Sequence, residues 1–256
     1  MSVDINCDLG ESFGRYRMGD DAVLMEYISS ANVACGFHAG DFTTMRRTVL
    51  LCLESGVAIG AHPSYPDLQG FGRRKIEFSP EEIYSMVLYQ IGALKTIAEA
   101  EGGILRHVKP HGALYNYAAE DTETALAIAE AVRKAGDELI LLCLPGSAME
   151  EAAVICRVRY ALEAYADRHY SADGRLIPRS MADSVISNAG VCASRAVEMV
   201  TSKRIIAYEG KHLSINPDSI CVHGDTAGAV AILIAVRNAL ESKGVLIEPF
   251  RGRMVK

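Results

Sequence analysis

Short apolar runs alternate with helical stretches along almost the whole chain of 256 residues. Several of the runs are nearly continuous in apolar residues, which is typical of parallel strands covered on both faces. The predicted strands are Val3–Cys7, Asn32–Phe37, Val57–Ala61, Leu105–Lys109, Glu138–Cys143, Tyr160–Tyr165, Arg204–Tyr208, Ser219–His223 and Val245–Ile247. This alternation predicts an α/β fold built on a parallel sheet.

The predicted helices have recognisable ends in the sequence. One begins at a capping box with proline at the first helical position, Ser79-Pro80-Glu81-Glu82. Three others are predicted to run from an aspartate to a glycine: Asp41 to Gly56, Asp121 to Gly136 and Asp225 to Gly244. Residues 204–215 differ, because two extended runs flank a Glu-Gly pair and predict a hairpin.

Within the α/β class the choice lies between an open doubly wound sheet and a closed barrel. No GxGxxG motif follows the first strand, which argues against a dinucleotide-binding sheet. A length near 250 residues is usual for a (β/α) barrel but is shared by other folds. A chain of this length can bury one large core or two small ones.

Composition excludes several classes of protein. Hydrophobic residues make up 50% of the chain and charged residues 23%, which is typical of a globular domain and not of a disordered one. The net charge of −6 and the lack of a basic run argue against a nucleic-acid partner. The longest uninterrupted apolar stretch, residues 227–236, is too short to span a bilayer, so we expect no membrane partner.

The seven cysteines form no CxxC pair, and most of them lie inside apolar runs. This usage predicts buried, reduced thiols and not a disulfide framework. The first residues, MSVDINCDLGE, contain no apolar segment typical of a signal peptide. We therefore expect a cytoplasmic protein.

Polar clusters follow nearly every predicted strand. They are DLGE (8–11), GFHAGD (36–41), HPSYPD (62–67), KPHG (109–112), DR (167–168) and HGD (223–225). The carboxyl ends of parallel strands lie on one side of a sheet or barrel, so these clusters must converge there. The sequence therefore predicts an active site at that end and one domain over residues 1–256.

Four residues of these clusters could meet as ligands of a metal ion. They are Asp8, His38, His62 and His111. Mixed His/Asp ligation with an open position for water suits Zn²⁺, Mn²⁺ or a similar ion. The alternative is that these histidines act as neutral acid–base groups and hydrogen-bond donors. We interpret His107 as a strand histidine directed away from the clusters.

Lys109 ends an apolar strand, where a lysine can bind a substrate carboxylate or phosphate. Arg73, Arg74 and Arg168 are candidate helpers. The alternative is a salt bridge from Lys109 to Asp8 or Glu11. No GxxxxGK[ST] motif is present, so any nucleotide would bind without a Walker-type loop.

Structural roles compete with functional ones for three aspartates of the clusters. Asp41 and Asp225 are as compatible with helix N-caps as with ligand binding. Asp67 could cap the loop formed by residues 66–74. Nucleophile candidates are weak, because no GxSxG motif occurs.

The amino-acid sequences of these clusters, together with their flanking residues, closely resemble those of the LamB/YcsF family. The matching segments are DINCDLGESFG (4–14), ANVACGFHAGD (31–41), IGAHPSYPDLQGFGRR (59–74), VKPHGALYN (108–116), ADRHYSADGRLIPR (166–179) and CVHGD (221–225). The resemblance implies a distorted, TIM-like (β/α) barrel of seven or eight parallel strands, similar to the glycoside hydrolase and deacetylase barrels.

The activity that this resemblance implies is a 5-oxoprolinase reaction, the ATP-dependent opening of the 5-oxo-L-proline ring to L-glutamate. It implies ATP with Mg²⁺ as cofactor and a complex with two other subunits, B and C. The expected catalytic residues are Asp8, His38, His62, Lys109 and His111. The expected substrate-binding residues are Glu11, Asp41, Asp67, Arg74, Asp167, Arg168, His223 and Asp225.

Two other functions remain open. The barrel and its His/Asp clusters are also compatible with a metal-dependent, deacetylase-like carbohydrate hydrolase. The absence of a Walker-type loop keeps open a non-catalytic chain that only binds the substrate for its partners.

Overall fold

The computed structural model of the protein describes residues 1–179, 181, 183–226 and 228–254. Ten strands lie within these residues. They are β1 (Ser2–Leu9), β2 (Ser30–Ala34), β3 (Ala58–His62), β4 (Leu105–Val108), β5 (Ile140–Cys143), β6 (Arg159–Tyr165), β7 (Arg204–Ile206), β8 (His212–Ser214), β9 (Ser219–Cys221) and β10 (Leu246–Ile247).

Seven parallel strands close into a barrel in the order β1-β2-β3-β4-β5-β6-β9. Closure follows from β9, which pairs in parallel with both β6 and β1. Strand β10 pairs with the start of β1, at Ser2 and Val3. The antiparallel strands β7 and β8 form the predicted hairpin. The prediction of a TIM-like barrel of seven or eight parallel strands is confirmed.

Helices surround the barrel. They are α1 (Asp21–Leu24), α2 (Phe42–Ser55), α3 (Pro80–Ala100), α4 (Gly112–Ala118), α5 (Thr122–Ala135), α6 (Ala148–Ile155), α7 (Ala189–Val197), which continues into a π-helical turn at Glu198–Ser202, and α8 (Ala229–Ser242). The predicted caps Asp41, Ser79 and Asp121 all accept backbone N–H groups of the helices they begin. The predicted start of the last helix at Asp225 is wrong.

That last helix has Gly228 at its N-cap, and Asp225 takes no part in capping it. The carboxylate of Asp225 is instead paired with Arg73 and lies 3.9 Å from Arg179. Two guanidinium groups thus occupy the oxygens that a capping aspartate would offer to the helix.

Strand β1 shows how the sequence divides the two faces of the barrel wall. Val3, Ile5 and other odd-numbered residues belong to the apolar core beneath the helices. The even-numbered Asp4, Asn6 and Asp8 are also buried, and they bond to side chains across the barrel interior. Because successive side chains of a strand point to opposite faces, the alternation puts a polar column inside the barrel.

Other strands extend this polar interior. Its further members are Ser30, Asn32, His107, Lys109, Glu163 and Ser219, all buried and joined by hydrogen bonds or ion pairs. TIM-type barrels are usually filled by layers of branched apolar side chains. A polar filling is costly to bury unless its groups are paired, so this interior points to a function.

A small apolar cluster also lies near the amino-terminal end of the barrel. Ile140, Leu142 and Ala161 form a small cluster against which Phe250 packs. The ring of Phe250 also contacts His107, with ring centroids 5.1 Å apart. The carboxyl-terminal segment therefore packs against this end, where it also lines two cavities that include Asp4 and His107.

The cysteines are unpaired, as the sequence predicted. All seven lie within the described residues, and each is a free thiol. Among the helices described, none is both long enough and apolar enough to cross a membrane.

Candidate active site

A cavity of ≈ 460 Å³ opens at the carboxyl ends of the barrel strands. The predicted site residues that line it are Asp8, Glu11, His62, Lys109, His111, Arg168, His223 and Asp225. They come from the ends of five strands and the loops that follow them, which confirms that the polar clusters converge. Volumes of about 300–1,000 Å³ are usual for sites that bind small molecules.

An ion pair at the floor of the cavity joins Lys109 to two carboxylates. The Lys109 ammonium lies 3.0 Å from Asp8 Oδ1 and 3.3 Å from Glu163 Oε2, and it is buried. Burial opposes ionisation, but Asp8, Cys221 and Glu163 outweigh it and hold the pKa of Lys109 well above its ordinary value. The predicted alternative of a salt bridge to Asp8 is confirmed, and Glu163 was missed.

Next to this ion pair lie three histidines. His62 Nε2 is 3.4 Å from Asp8 Oδ2 and 3.0 Å from His111 Nδ1. His38 stacks on His111, with ring centroids 3.8 Å apart and an interplanar angle of 6°, and its Nε2 lies 3.2 Å from Glu11 Oε1. His38 is buried behind His111 and does not line the cavity.

Backbone carbonyls fix the orientation of two of these rings. His62 Nδ1 lies 2.6 Å from the carbonyl oxygen of Lys109, and His111 Nε2 lies 2.9 Å from that of Phe71. The Phe71–Gly72 turn covers the rings closely. Gly72 has φ +61°, and a Cβ there would lie 2.8 Å from both His111 Cδ2 and His38 Cβ. Only glycine fits at this position.

The protonation states of the carboxylates and histidines at the cavity floor are set by burial and by neighbouring charged groups. Burial raises the pKa of Glu11 well above its ordinary value, and the negative charge of Asp8 adds to this. The pKa of Asp8 is held well below its ordinary value, because His62 and Lys109 outweigh the effect of burial. Burial lowers the pKa of His38 and of His111 well below their ordinary values, with a further contribution from the neighbouring histidines. Both rings are therefore neutral at neutral pH.

On the other side of the cavity, Asp167 positions His223. Asp167 Oδ2 accepts a hydrogen bond from His223 Nδ1 at 2.9 Å and another from Thr226 Oγ1 at 3.1 Å. The His223 ring stacks on Tyr165, with centroids 5.3 Å apart. Asp167 is fully buried and does not line the cavity, so it acts on a ligand only through His223.

Besides Asp167, three of the predicted substrate-binding residues do not line the cavity. Asp41 caps α2 and also accepts the N–H of Gly14 at 2.8 Å. Asp67 pairs with Arg74 and accepts the N–H of Gly70, which is the predicted loop cap. These contacts stabilise local structure beside the site.

Arg168 lines the cavity, but its guanidinium is already engaged. It donates to the carbonyl oxygens of Ile177 and Ser184, which hold the loop after β6 in place. The other guanidinium groups that line the cavity are those of Arg73 and Arg179, which flank Asp225.

Sequence reasoning missed Glu163, Arg179 and Tyr115 as residues of this site. A glutamate in the otherwise apolar run ALEAY was a usable signal, since only a functional or paired acid is expected inside a barrel strand. Arg179 stood at the end of the matched segment 166–179. Tyr115, whose hydroxyl has no hydrogen-bond partner among the described residues, gave no signal of its own.

Possible metal ligands form two groups among the described residues. Donor atoms of Glu11, His38, His62 and His111 all lie within 4.8 Å of one another, as do those of Asp8, Cys221 and His223. Three of the four ligands predicted from the sequence thus belong to one group, with Asp8 at its edge. Imidazole nitrogens combined with carboxylate oxygens fit a first-row divalent ion.

Comparison with known proteins agrees with this geometry. The model of the LamB/YcsF family matches residues 3–255. A protein from Brevibacillus brevis, named as the A subunit of 5-oxoprolinase, is 50% identical over 246 residues, which cover 96% of this chain and 97% of that protein.

Solved structures of similar proteins have the same fold. A lactam utilization protein from Thermus thermophilus superposes with a TM-score of 0.93 at 46% identity, covering 98% of this chain and 100% of the other. A polysaccharide deacetylase from Bacillus cereus, 12% identical with a TM-score of 0.50, covers 98% of this chain and 92% of its own, and it shares the fold alone. On the family match, the near full-length identity and the shared structure, the chain belongs to the LamB/YcsF family.

Proposed function

We propose that this chain is the A component of an ATP-dependent 5-oxoprolinase, in which it hydrolyses the lactam of 5-oxo-L-proline to give L-glutamate. The observation that carries the proposal is the buried Asp8–His62–His111 series on the floor of the ≈ 460 Å³ cavity. The names of two relatives, one from a 5-oxoprolinase and one a lactam utilization protein, support the choice of a cyclic amide as substrate.

The need for ATP follows from the chemistry of the substrate. A five-membered lactam is a stable amide, so water attacks its carbonyl carbon only slowly. Transfer of the terminal phosphoryl group of ATP to the amide oxygen makes that carbon electrophilic and releases ADP. Addition of water then breaks the ring C–N bond, the ring nitrogen takes up a proton, and an acyl phosphate remains. Its hydrolysis by a second water releases phosphate and glutamate.

Within this reaction Asp8 and His62 are assigned to the proton transfers. The 3.4 Å contact between His62 Nε2 and Asp8 Oδ2 places both groups at the cavity floor. Lys109 keeps Asp8 ionised, and an ionised carboxylate or a neutral imidazole can accept a proton from water. Oriented donors around the developing negative charge supply the largest share of transition-state stabilisation in reactions of this class.

The substrate carboxylate is assigned to the arginines at the opening. Lys109 is engaged by Asp8 and Glu163, and two N–H groups of Arg168 are engaged by backbone carbonyls, so both side chains are already committed to contacts within the protein. Arg73 and Arg179 flank Asp225 and line the cavity. An arginine fork suits bidentate binding of a small carboxylate.

Binding of ATP and its Mg²⁺ is assigned to the assembled complex with the B and C components. This chain has no GxxxxGK[ST] loop that would cradle the phosphates by itself. The assay that tests the proposal therefore measures glutamate released from 5-oxoproline and ATP, with the chain alone and with its two partners. We expect turnover with all three, and absence of glutamate from the complete mixture would refute the proposal.

The same assay separates the two competing functions. A chain that only binds substrate predicts that Asp8→Asn changes KM and leaves kcat of the complex intact. A deacetylase-like hydrolase predicts release of acetate from an N-acetylated sugar by the chain alone, without ATP. Either result would replace the 5-oxoprolinase assignment of the Asp8–His62 pair.

A further inference from the structure

The pair of histidines at the cavity floor has an unusual arrangement of ring nitrogens. A carbonyl oxygen can only accept a hydrogen bond, so the nitrogen facing it carries the proton. His62 therefore carries its proton on Nδ1, toward the Lys109 carbonyl, and His111 carries its proton on Nε2, toward the Phe71 carbonyl. In the neutral form of each ring, the other nitrogen carries a lone pair.

These two lone pairs face each other. His62 Nε2 and His111 Nδ1 are 3.0 Å apart, a hydrogen-bonding distance at which two neutral rings in these tautomers have no hydrogen to share. Two hydrogen-bond acceptors in contact are stabilised only by a positively charged group close to both of them.

Two carboxylates lie beside the same point. Asp8 Oδ2 is 3.4 Å from His62 Nε2, and Glu11 Oε1 is 3.8 Å from His111 Nδ1. Donors bound tetrahedrally to an ion at about 2.0–2.1 Å are separated by about 3.3 Å. Three separations link the four donors, and at 3.0, 3.4 and 3.8 Å they lie around this value. Asp8 has Lys109 as a counter-ion, whereas the closest basic partner of Glu11 is the neutral His38.

His38 is not assigned as a ligand of this ion, although one of its ring nitrogens belongs to the group of possible metal ligands with Glu11, His62 and His111. Its ring is stacked parallel to His111 at 3.8 Å, so an ion in the plane of one ring lies out of the plane of the other. The His62 ring is nearly perpendicular to His111, at 87°, and its lone pair can meet that of His111 at one point. His38 therefore orients Glu11 through the 3.2 Å contact to its carboxylate.

From this geometry we infer that His62 Nε2, His111 Nδ1 and the carboxylates of Asp8 and Glu11 bind one first-row divalent metal ion of the Zn²⁺ or Co²⁺ type. The carbonyls of Lys109 and Phe71 act as the outer partners that hold each ring in its ligating form, an arrangement typical of metal-bound histidines. Two imidazole ligands select such an ion over Mg²⁺, which prefers oxygen donors.

This inference goes beyond the proposed function, because the chain can bind the ion whether or not it opens a lactam. The test therefore uses binding and not turnover. The purified full-length chain is stripped with a chelator and titrated with Zn²⁺ by calorimetry, and with Co²⁺ by visible absorption. We expect one ion per chain, Co²⁺ bands of nitrogen–oxygen ligation, a rise in Tm with Zn²⁺ and a much weaker response to Mg²⁺.

Variants assign the ligands. His62→Ala and His111→Ala are expected to weaken Zn²⁺ binding by more than about 100-fold, beyond the 10- to 100-fold usual for loss of an outer partner, and His38→Ala is expected to fall within that range. His169→Ala, in the loop after β6, is the matched control and should bind as the wild type does. Circular dichroism shows which variants fold, and Glu11→Gln serves if an alanine variant does not.

The wild-type titration alone can overturn the inference. Failure of the stripped wild-type chain to bind Zn²⁺ or Co²⁺ stoichiometrically would mean that a shared proton, and not a metal ion, lies between the two rings. Equal Zn²⁺ affinity in the wild type and His111→Ala would place the ion elsewhere. A chain that binds Zn²⁺ as expected yet gives no glutamate in the complete complex would retain the metal site and refute only the proposed function.

Discussion

Strand β1 supplies an aspartate to each end of the barrel interior, and the two carboxylates have different surroundings. Near the amino-terminal end, Asp4 accepts hydrogen bonds from the hydroxyls of Ser29, Ser30 and Ser219. Near the other end, Asp8 contacts Lys109 and His62, which belong to loops and strand ends around the cavity. The first carboxyl is surrounded by neutral donors, and the second by charged or titratable groups.

The difference separates a structural polar cluster from a functional one. The serine hydroxyls each have a partner around Asp4, so that cluster is complete within the protein. The cluster at the cavity contains the 3.0 Å contact between His62 Nε2 and His111 Nδ1, and also His38 Nδ1, which has no partner among the described residues. Incomplete hydrogen bonding in a buried cluster indicates a missing ligand or substrate.

The largest expected effect is on catalysis at the cavity end. Asp8→Asn removes the charge that faces His62 while keeping the size of the side chain. We expect glutamate formation by the complete complex to fall by about 100-fold or more, the usual contribution of an acid–base group. The measurement is steady-state turnover of the assembled complex with saturating ATP.

A matched control for this change is Asp137→Asn, on the exposed loop before β5 at the opposite end of the barrel. We expect it to leave turnover unchanged. Equal losses in both variants would indicate a general effect on assembly and not a role of Asp8 in the reaction.

Next in size is the cost of breaking the buried ion pair. Lys109→Met leaves the carboxylates of Asp8 and Glu163 buried without their shared cation. Removing one partner of a buried pair costs about 3–5 kcal/mol of unfolding free energy. Urea unfolding followed by circular dichroism measures this, and Lys134→Met, on the exposed end of α5, should change it by less than about 0.5 kcal/mol.

The carboxyl of Asp4 makes stability depend on pH. Burial raises its pKa from 3.8 to about 6, against the lowering effect of the three serines. The folded state therefore holds the Asp4 proton more tightly than the unfolded state. This contribution to stability is fully present below about pH 4 and is lost as the pH rises through 6. At about 1.4 kcal/mol per pKa unit the loss amounts to about 3 kcal/mol.

Asp4→Asn cannot titrate, so it isolates this effect from that of other groups. We expect the wild type to lose about 3 kcal/mol relative to Asp4→Asn between pH 3 and pH 7, measured by urea unfolding at a series of pH values. Parallel pH profiles for the two proteins would show that Asp4 is ionised throughout, with its serine donors outweighing burial.

The smallest expected effect comes from the hydroxyl groups around Asp4. Ser219→Ala removes one donor from the carboxylate and the acceptor of Asn6 Nδ2, which is 2.7 Å away. Loss of such buried partners costs about 1–3 kcal/mol of unfolding free energy. Ser242→Ala, on the exposed end of α8, should cost less than about 0.5 kcal/mol. A similar small loss for Ser219→Ala would contradict the structural role of the Asp4 cluster.

The sequence predicted where the site lies better than how it is built. Asp8, His62, Lys109 and His111 each lie at or directly after the end of a strand, and parallel topology alone brings such positions together. The sequence did not predict that Glu163 would form an ion pair with Lys109, as Asp8 does, because Glu163 and Lys109 lie on segments far apart in sequence. The sequence alone also does not show that Asp67 and Arg74 form an ion pair within one loop.

By itself the sequence determined the order of strands and helices, three of the helix caps and the side of the barrel on which the polar clusters meet. These depend on local propensity, hydrophobic pattern and the rule that parallel strands end on the same side. Only the tertiary structure decided that Asp225 pairs with Arg73 and that His62 Nε2 lies 3.0 Å from His111 Nδ1. The direction of a side chain depends on strand register and barrel closure, which arise from contacts between distant segments.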